Sequence, residues 1–212
     1  MLDLLKKENV NATFFINGNN FNCIFNKTEN LQRAVNEGHQ LASHTWSHPN
    51  MTKINREEII YQMKTLENAM RKIVGLVPRY MRLPFGEGFN NELIMKTLGE
   101  LDYTVVQFNL DSGDGLGISV IEQKQRYIDA VNNNLLSPFL ILSHETKETT
   151  IKEVVPFAID LFKNKNYTFL TVAECLGNDI KNTWFKEQTI PSQRDKTWVC
   201  TEEDKHIEEI KE

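Results

Sequence analysis

Two hydrophobic periods alternate along the chain, one typical of helices and one typical of strands. The clearest helical stretch is 56–73, whose apolar side chains recur at helical spacing along one face. Asn55 is placed to cap this helix, and Glu58 stands three residues further on, where the carboxylate of a capping box belongs. The same pattern predicts further helices over residues 1–8, 30–37, 92–100, 120–132 and 151–164.

Short runs rich in β-branched and aromatic residues lie between those helices. They predict strands over residues 12–16, 40–43, 80–83, 104–110, 139–142 and 168–172. Strands that alternate with helices indicate an α/β protein with a parallel sheet or a barrel. The polar, charged stretch after Cys175 carries no such pattern, and we expect it to wrap loosely on the surface or to fray.

The composition fits one domain with a sizeable core and excludes several classes of function. The chain has 212 residues, of which 40% are hydrophobic and 25% are charged. Its net charge is -5 and it has no basic cluster, so we predict that it does not bind nucleic acid. No apolar run approaches the ~20 residues of a membrane span, so we also predict no such span.

Cysteines and glycosylation signals bear on the compartment. The chain has three cysteines, Cys23, Cys175 and Cys200, so at least one thiol stays unpaired within the chain. The sequence does not decide which two of them pair. Acceptor sequences for N-glycosylation occur at Asn11, Asn26, Asn50 and Asn166. The chain opens with a helix-like segment rather than a signal peptide. An intracellular protein with incidental acceptor sequences is one interpretation, and the composition slightly favours a secreted protein.

Reactive side chains directly follow four of the predicted strands: His44, Arg82, Asp111 with Asp114, and His144. In α/β barrels the carboxyl ends of the strands form the face on which active sites are built. Reactive groups that arrive there from four strands are hard to explain as surface decoration. We therefore predict that these residues serve one functional site.

His44 and His48 are the strongest candidates for metal ligands. Neutral imidazoles are common zinc ligands, and a spacing of four residues lets both rings reach one ion from a turn or tight loop. Pro49 disfavours helical geometry at His48, which favours a loop. Thr45 stands where helical metalloproteases need glutamate, so that motif is excluded. A pair of surface or capping histidines is the alternative.

The stretches that carry these candidate residues, taken in chain order, resemble the polysaccharide deacetylase family, the NodB-like carbohydrate esterases. Among them, the fungal chitin deacetylases are the most similar subgroup. Residues 38–48, Gly-His-Gln-Leu-Ala-Ser-His-Thr-Trp-Ser-His, are similar to the metal-binding second motif of the family. Arg-Leu-Pro-Phe-Gly at 82–86 resembles the third motif of the family. Asp-Ser-Gly-Asp at 111–114 resembles the fourth, and Leu-Ser-His at 142–144 resembles the fifth. The similarity predicts a deacetylase domain over residues 1–177 and a polar C-terminal extension over 178–212.

The resemblance implies a distorted (β/α) barrel that removes acetyl groups from chitin or a related N-acetylated polysaccharide, secreted or at the cell wall. It also implies a divalent metal ion, most often zinc, with cobalt or a similar ion as an alternative. In the family, two histidines and an aspartate hold the ion, a second aspartate is the base, and the histidine of the fifth motif is the acid.

Residue roles follow from matching the motifs. The resemblance assigns metal binding to His44 and His48, proton donation to His144, and support of the base aspartate to Arg82. It assigns the oxyanion-binding amide to Phe85 and contact with the acetyl methyl group to Leu142. By residue chemistry, Asp111 is suited to hold the second nitrogen of His144, and Trp46 is suited to stack on a sugar ring.

Each of these side chains also has a structural interpretation. His144 is then a hydrogen-bonded histidine at a strand end, and Arg82 is the partner in a structural salt bridge. Asp111 with Asp114 forms a turn, while Leu142 and Trp46 pack in the core.

The chain departs from the family pattern at two places. Gly115 stands where the fourth motif usually ends in an aromatic residue that helps to wall the acetate pocket. The first motif, whose aspartate pair supplies one metal ligand and the base, has no counterpart, because the first carboxylate, Asp3, lies inside a predicted helix. We expect the strand with this motif, and the third protein ligand, to be absent from these 212 residues. We accordingly expect these residues alone not to form a competent deacetylase.

Three hypotheses follow from the sequence. The first is a metal-dependent amidohydrolase that acts on an N-acetylated glycan. The second is a family member that lost the chemistry and binds glycans. The third is an unrelated α/β protein with structural histidines.

Overall fold

The structure is a computed structural model that describes residues 1–133, 137–178 and 180–202. It divides the chain into two compact units. The first unit contains residues 1–12 and 108–175, and the second contains residues 13–107 and the described residues from 176 onward. The described residues from 176 to 202 thus group with residues 13–107.

The second unit is built on a parallel sheet. Its strands are β1 (Thr13–Ile16), β2 (Gln40–Ser43), β4 (Tyr80–Met81) and β5 (Thr104–Val105), in the order β1-β2-β4-β5. All three pairings are parallel, and β1 and β2 align Thr13 with Gln40 and Ile16 with Ser43. A separate antiparallel pair joins β3 (Leu76–Pro78) to β8 (Phe185–Gln188). The predicted α/β class with a parallel sheet is confirmed, although the described strands do not close into a barrel.

Three helices accompany this sheet: α2 (Thr28–Asn36), α3 (Arg56–Val74) and α4 (Glu92–Glu100). Helix α3 begins where its cap was predicted, because the amide of Glu58 donates to Asn55 Oδ1 at 2.9 Å. It ends at Gly75, whose φ of 70° is the left-handed conformation that glycine adopts without strain. Buried side chains of α3 and α4 meet those of β4 in one hydrophobic cluster that includes Met63, Leu98 and Met81.

A buried charged group ties the C-terminal segment to α3. The Glu67 carboxylate, 2% exposed, accepts hydrogen bonds from Lys186 Nζ at 2.6 Å, Lys64 Nζ at 2.9 Å and the Tyr103 hydroxyl at 2.9 Å. Burial would raise the pKa of Glu67, but these donors outweigh it and lower the pKa. The ammonium of Lys186, on β8, therefore lies against an ionised carboxylate.

The first unit packs helices around aromatic side chains. It contains α1 (Leu2–Glu8), β6 (Leu110–Asp111), α5 (Val120–Asn133), β7 (Ile141–Leu142), α6 (Val155–Asn164) and α7 (Val172–Cys175). Strands β6 and β7 are parallel. Tyr127 and Phe162 pack edge to face at 6.0 Å between ring centroids, within a cluster completed by Phe139, Tyr167 and Phe169. Lys163 holds the end of α1 by donating to the Glu8 carbonyl at 2.7 Å.

Three predictions about local structure were wrong. The single strand predicted over 104–110 is two strands, β5 and β6, in different sheets, because the boundary between the two units falls between them. No strand forms over 168–172, where the chain is irregular before α7 begins. The described part of the segment after Cys175 is not loose, because it contributes β8 and a disulfide bond between Cys23 and Cys200, whereas residues 203–212 of that prediction lie outside the described residues.

The structure bears on membrane-spanning helices and on the pairing of the cysteines. Among the described residues, no helix is long and apolar enough to cross a membrane. Cys175 is the free cysteine of that part of the chain, which resolves the pairing that the sequence left open.

Candidate functional site

His44 and His48 lie side by side in the loop that follows β2. Their ring centroids are 4.7 Å apart at an interplanar angle of 72°, and both residues are half-buried. His44 Nδ1 lies 2.8 Å from the carbonyl oxygen of Arg82, which can only accept a hydrogen bond. In the neutral ring the proton therefore sits on Nδ1, and Nε2 keeps the lone pair that a metal ligand needs.

Backbone and side-chain hydrogen bonds hold this histidine loop from two sides. On one side, the Asn17 side-chain amide donates to the carbonyls of His44 and Thr45. On the other, Gln62 Oε1 on α3 accepts from the Ser47 amide at 2.8 Å, and Gln62 Nε2 donates to Ser47 Oγ at 2.9 Å. Asn17, directly after β1, and Gln62, on α3, thus fix the geometry of the histidine loop. Sequence reasoning missed Asn17 and Gln62, because neither position carries a signal before the fold is known.

Three non-glycine residues at this place adopt left-handed backbone conformations: Thr45 at φ 71°, His48 at φ 63° and Phe85 at φ 59°. Such conformations cost of order 1–3 kcal/mol each and cluster at functional sites. Thr45 is fully buried, and its hydroxyl compensates in part by accepting from the His48 amide at 3.1 Å. The left-handed conformations of Thr45 and His48 turn the backbone so that the His48 ring lies beside that of His44.

Phe85 and Arg82 share the surroundings of the histidine loop. The ring of Phe85 stands edge-on to that of His48 at 4.7 Å between centroids, with 63% of the residue exposed. Arg82 is 5% exposed, and its guanidinium lies 4.2 Å from the centroid of Phe15. Burial lowers the pKa of Arg82 to about 10, which still leaves it charged at neutral pH. The four predicted residues His44, His48, Arg82 and Phe85 are therefore brought together.

These residues fit two positions of a metal site. The Nε2 atom of His44 and the adjacent ring of His48 have the chemistry of donors for a divalent ion. The described residues contain no group of three His, Cys, Asp or Glu side chains that could hold an ion together. Among the described residues, the imidazole pair is thus a partial ligand set.

His144, in the first unit, is paired with a buried carboxylate. Its Nδ1 donates to Asp114 Oδ1 at 2.7 Å, and its backbone amide donates to Asp114 Oδ2 at 2.6 Å. Thr150 Oγ1 donates to the same Oδ2 at 2.8 Å. Burial would raise the pKa of Asp114, but the hydrogen bonds from His144 and Thr150 lower it to about 2. The ionised partner raises the pKa of His144 above its ordinary 6.5.

The partner of His144 is Asp114, which corrects the role predicted for Asp111. Asp111 Oδ1 instead accepts from the amide of Gly113 at 2.8 Å, which is the turn that the structural interpretation of this residue foresaw. Asp111 is the last residue of β6 and Asp114 follows it, and the left-handed turn at Gly113, with φ 79°, lies between the two carboxylates. The sequence Asp-Ser-Gly-Asp contained the right residue without revealing its role.

Gly115 and Leu142 border His144. A Cβ atom at Gly115 would lie 3.1 Å from His144 Cε1, so the missing side chain leaves room beside the imidazole. Leu142 aligns with Asp111 across the β6–β7 pair. It is half-buried, and strand alternation directs it away from Ile141, which packs on the aromatic cluster of the first unit.

Trp46 lies between the two histidines in sequence, and it is 2% exposed. Gly18 packs so closely on its indole that an added Cβ would fall 1.8 Å from Trp46 Cε3. A ring buried in this way is not open to a sugar. The predicted stacking role of Trp46 is therefore corrected to packing beneath the loop.

Comparisons with known proteins agree with this geometry. A family model described as Polysaccharide deacetylase matches residues 1–106, half of the chain. A chitin deacetylase from Colletotrichum lindemuthianum is 34% identical over 196 residues, which cover 88% of this chain and 76% of that protein. The chain belongs to the polysaccharide deacetylase family. The resemblance seen in the sequence motifs is confirmed.

Other members of the polysaccharide deacetylase family extend the comparison. A chitin deacetylase from a Pestalotiopsis species is 37% identical over 193 residues, and the chain spans only 61% of its length. The solved structure of the Colletotrichum lindemuthianum chitin deacetylase has a TM-score of 0.80 and covers 87% of this chain and 83% of its own. The Bc1960 peptidoglycan N-acetylglucosamine deacetylase has a TM-score of 0.69 at 29% identity, with 82% and 78% covered. These comparisons establish the polysaccharide deacetylase fold for this chain.

Proposed function

We propose that this protein removes acetyl groups from N-acetylglucosamine polymers of the chitin class in a metal-dependent reaction. The observation that carries the proposal is the orientation of His44, whose Nδ1 is bound to the Arg82 carbonyl and whose ring lies 4.7 Å from that of His48 between centroids. The chitin class is supported by two relatives named chitin deacetylases, at 37% and 34% identity. Peptidoglycan deacetylases among the relatives make bacterial cell-wall glycan the nearest competing substrate.

His44 and His48 are the residues proposed to hold the metal, most often zinc in such sites. The chemistry that a divalent ion supplies when bound is Lewis-acid polarisation of the amide carbonyl and activation of water. Because both imidazoles must be neutral to bind, their affinity for metal falls as the pH drops below their pKa.

His144 is proposed to protonate the nitrogen of the leaving amine. Its Nδ1 proton is engaged by Asp114, so Nε2 is the atom that gives up the proton. The raised pKa keeps the imidazolium populated closer to neutral pH, which a general acid requires. Such a group typically contributes ~10²–10⁴-fold to the rate.

Three further residues have proposed roles toward the acetyl group. The amide of Phe85, in its left-handed turn, is proposed to donate to the developing oxyanion, and a backbone donor does not depend on the side chain. Leu142 is proposed to contact the acetyl methyl group. Arg82, buried and charged, is proposed to stabilise the carboxylate that serves as the base.

A secreted or cell-wall location is proposed as well. The disulfide between Cys23 and Cys200 supports it, because such bonds form and persist in oxidising compartments.

The metal proposal is tested by titrating the protein with zinc in a calorimeter. His44→Ala and His48→Ala are each expected to lower the affinity for zinc at least about tenfold, because each removes one of two donors. His144→Ala is the matched control and is expected to bind zinc like the parent. Equal zinc affinity in the parent and the His44→Ala/His48→Ala double variant would place the metal elsewhere.

The reaction is tested by measuring acetate release from chitin oligomers by the full-length protein, before and after removal of metal with a chelator. We expect release to stop with the chelator and to return with zinc. His144→Ala is expected to lower turnover about 10²-fold or more while zinc content is unchanged. Oligomer binding without acetate release would favour the glycan-binding hypothesis. The family membership excludes the unrelated α/β protein of the third hypothesis, so neither binding nor release would indicate a family member whose histidines are structural.

A further inference from the structure

The carboxylate that pairs with His144 is held by one hydrogen bond from outside that histidine. Within the described residues the Asp114 carboxylate accepts three hydrogen bonds, and two of them come from His144 itself, through Nδ1 at 2.7 Å and the backbone amide at 2.6 Å. Those two bonds orient the carboxylate toward His144 but give the pair no external reference. The third bond runs from Thr150 Oγ1 to Asp114 Oδ2 at 2.8 Å and comes from another segment of the first unit.

The His144 ring itself has little support from packing. Its side chain is 42% exposed. Gly115 leaves room beside the imidazole, since even a Cβ atom there would lie 3.1 Å from Cε1. The direction of the ring therefore depends on the carboxylate, and the direction of the carboxylate depends on Thr150.

Thr150 is suited to this role because solvent does not reach it. The residue is 0% exposed, and Asp114 is 4% exposed. A hydrogen bond to an ionised carboxylate is stronger in such surroundings than in water, and no water molecule from bulk solvent can take the place of the hydroxyl. The bond contributes to the lowered pKa of Asp114, which keeps the carboxylate ionised at neutral pH.

A π turn directs Thr150 to the carboxylate. Buried residues recur at a spacing of four along this segment: Thr150, Val154, Ala158 and Phe162. The last three belong to the hydrophobic cluster of the first unit, and a continuous α-helix would direct Thr150 to the same side. Instead, Thr150–Val154 form a π turn, in which the amide of Val155 donates to the carbonyl of Thr150. The extra residue turns Thr150 by about 100° away from the apolar side.

The sequence permits this wide turn at Pro156, in the first turn of α6. Proline has no N–H, so an α-helix continued through this segment would also lack the bond from residue 156 to the carbonyl of Lys152. The π turn therefore gives up little backbone hydrogen bonding. Turns of this kind are rare and occur frequently at functional sites.

We propose that Thr150 is a positioning residue for the deacetylation, whose hydroxyl fixes the Asp114 carboxylate and, through it, the imidazole of His144. This inference rests on the proposed function, in which Nε2 of His144 protonates the leaving amine. Thr150 acts through His144 and contacts no reacting atom, so it affects the chemical step and leaves substrate binding unchanged.

The first experiment measures acetate release from chitin oligomers and zinc affinity in the full-length protein. Thr150→Val removes the hydroxyl and keeps the branched shape, whereas Thr150→Ser keeps the hydroxyl and removes a methyl group. Thr149→Val is the matched control, because Thr149 is the exposed neighbour whose side chain makes no capping hydrogen bond.

Thr150→Val is expected to lower kcat about tenfold at unchanged KM and zinc affinity, while Thr150→Ser and Thr149→Val keep the kcat of the parent. Packing by Thr150 alone would give the reverse order, with Thr150→Val like the parent and Thr150→Ser impaired, and that result overturns the inference. If Thr150→Val does not fold, Thr150→Ala replaces it, because it differs from Thr150→Ser by the hydroxyl alone. A kcat as low in Thr150→Ser as in Thr150→Ala then overturns the inference.

The second experiment reads the position of His144 without turnover. The proton on His144 Nδ1, shared with a carboxylate, gives a proton NMR resonance far downfield, which is assigned by its loss in His144→Ala. The resonance is expected to persist in Thr150→Ser and Thr149→Val. In Thr150→Val it is expected to broaden or vanish, because a carboxylate that can rotate lets the proton exchange with water.

The two experiments separate the failures. A resonance lost in Thr150→Val, with no acetate release from the parent, supports the positioning role and overturns the hydrolysis. An unchanged resonance and an unchanged kcat in Thr150→Val overturn the positioning role and leave the proposed function intact. A lowered kcat with an unchanged resonance also overturns the positioning role, because the hydroxyl would then act elsewhere than through His144.

Discussion

Replacing Asp114 by asparagine tests the ion pair that orients the proposed general acid. In the structure its carboxylate accepts from His144 Nδ1, the His144 amide and Thr150 Oγ1. Asparagine keeps one oxygen acceptor but turns an amino group toward at least one of these donors. We expect the pKa of His144 to fall from its raised position toward or below the ordinary 6.5, because the negative partner is gone.

The size of the effect on stability follows from the pKa of Asp114, which is lowered to about 2 from an ordinary 3.8. A difference of nearly two pKa units corresponds to about 2 kcal/mol of unfolding free energy, and the side chain is buried, so solvent screening does not reduce it. For a lowered pKa this stability is present above pH 3.8 and is lost as the pH falls toward 2. The part that belongs to charged His144 is present below pH 6.5 and is lost as the pH rises through its raised pKa.

The assay uses urea unfolding at pH 7 and at pH 2, with proton NMR of the His144 ring across the neutral range. Asp114→Asn is expected to be about 2 kcal/mol less stable than the parent at pH 7, and the difference is expected to shrink by pH 2. Asp111→Asn is the matched control, since the Asp111 carboxylate accepts from the turn amide of Gly113 whereas His144 Nδ1 donates to Asp114. A His144 pKa that drops as far in Asp111→Asn as in Asp114→Asn would refute the assignment.

Three further substitutions test the support around the site. Gly18→Ala is expected to destabilise the protein by ~1–3 kcal/mol and to weaken zinc binding, because its Cβ would lie 1.8 Å from Trp46. Gly99→Ala is the control, because a Cβ there meets nothing within 4 Å, and it is expected to change neither quantity when both are measured by calorimetry. Glu67→Gln is expected to cost ~3–5 kcal/mol in urea unfolding, since it leaves a buried ammonium uncompensated; a cost below 1 kcal/mol would contradict this. Cys200→Ser is expected to cost ~2–5 kcal/mol, and a reductant should bring the parent to the same midpoint.

The sequence predicted those parts of the fold whose signals are local. Helix α3 was placed within one residue, because a capping asparagine and a terminal glycine bracket a regular apolar face. Strand β2 was also placed correctly. The segments 104–110 and 168–172 both have the composition of strands. The division of the chain into two units between residues 107 and 108 accounts for the break in the first, whereas the structure offers no such reason for the irregular second segment.

The candidate site was predictable in its residue types and less so in their pairings. The two histidines and His144 came from motifs, whereas the exchange of Asp111 for Asp114 depends on a left-handed turn at Gly113. Asn17 holds the histidine loop through two carbonyls that no sequence pattern connects to it. Long-range hydrogen bonds of this kind arise only when distant segments have folded together.

The disulfide between Cys23 and Cys200 also constrains the order of events during synthesis. Its two cysteines are 177 residues apart, so at ~5–20 residues per second the second thiol leaves the ribosome roughly 10–35 s after the first. Cys175 emerges within that interval and is available to Cys23 earlier than the correct partner. The newborn chain must therefore either fold Cys175 into α7, where it is half-buried, before oxidation begins or rely on disulfide exchange to undo a premature bond.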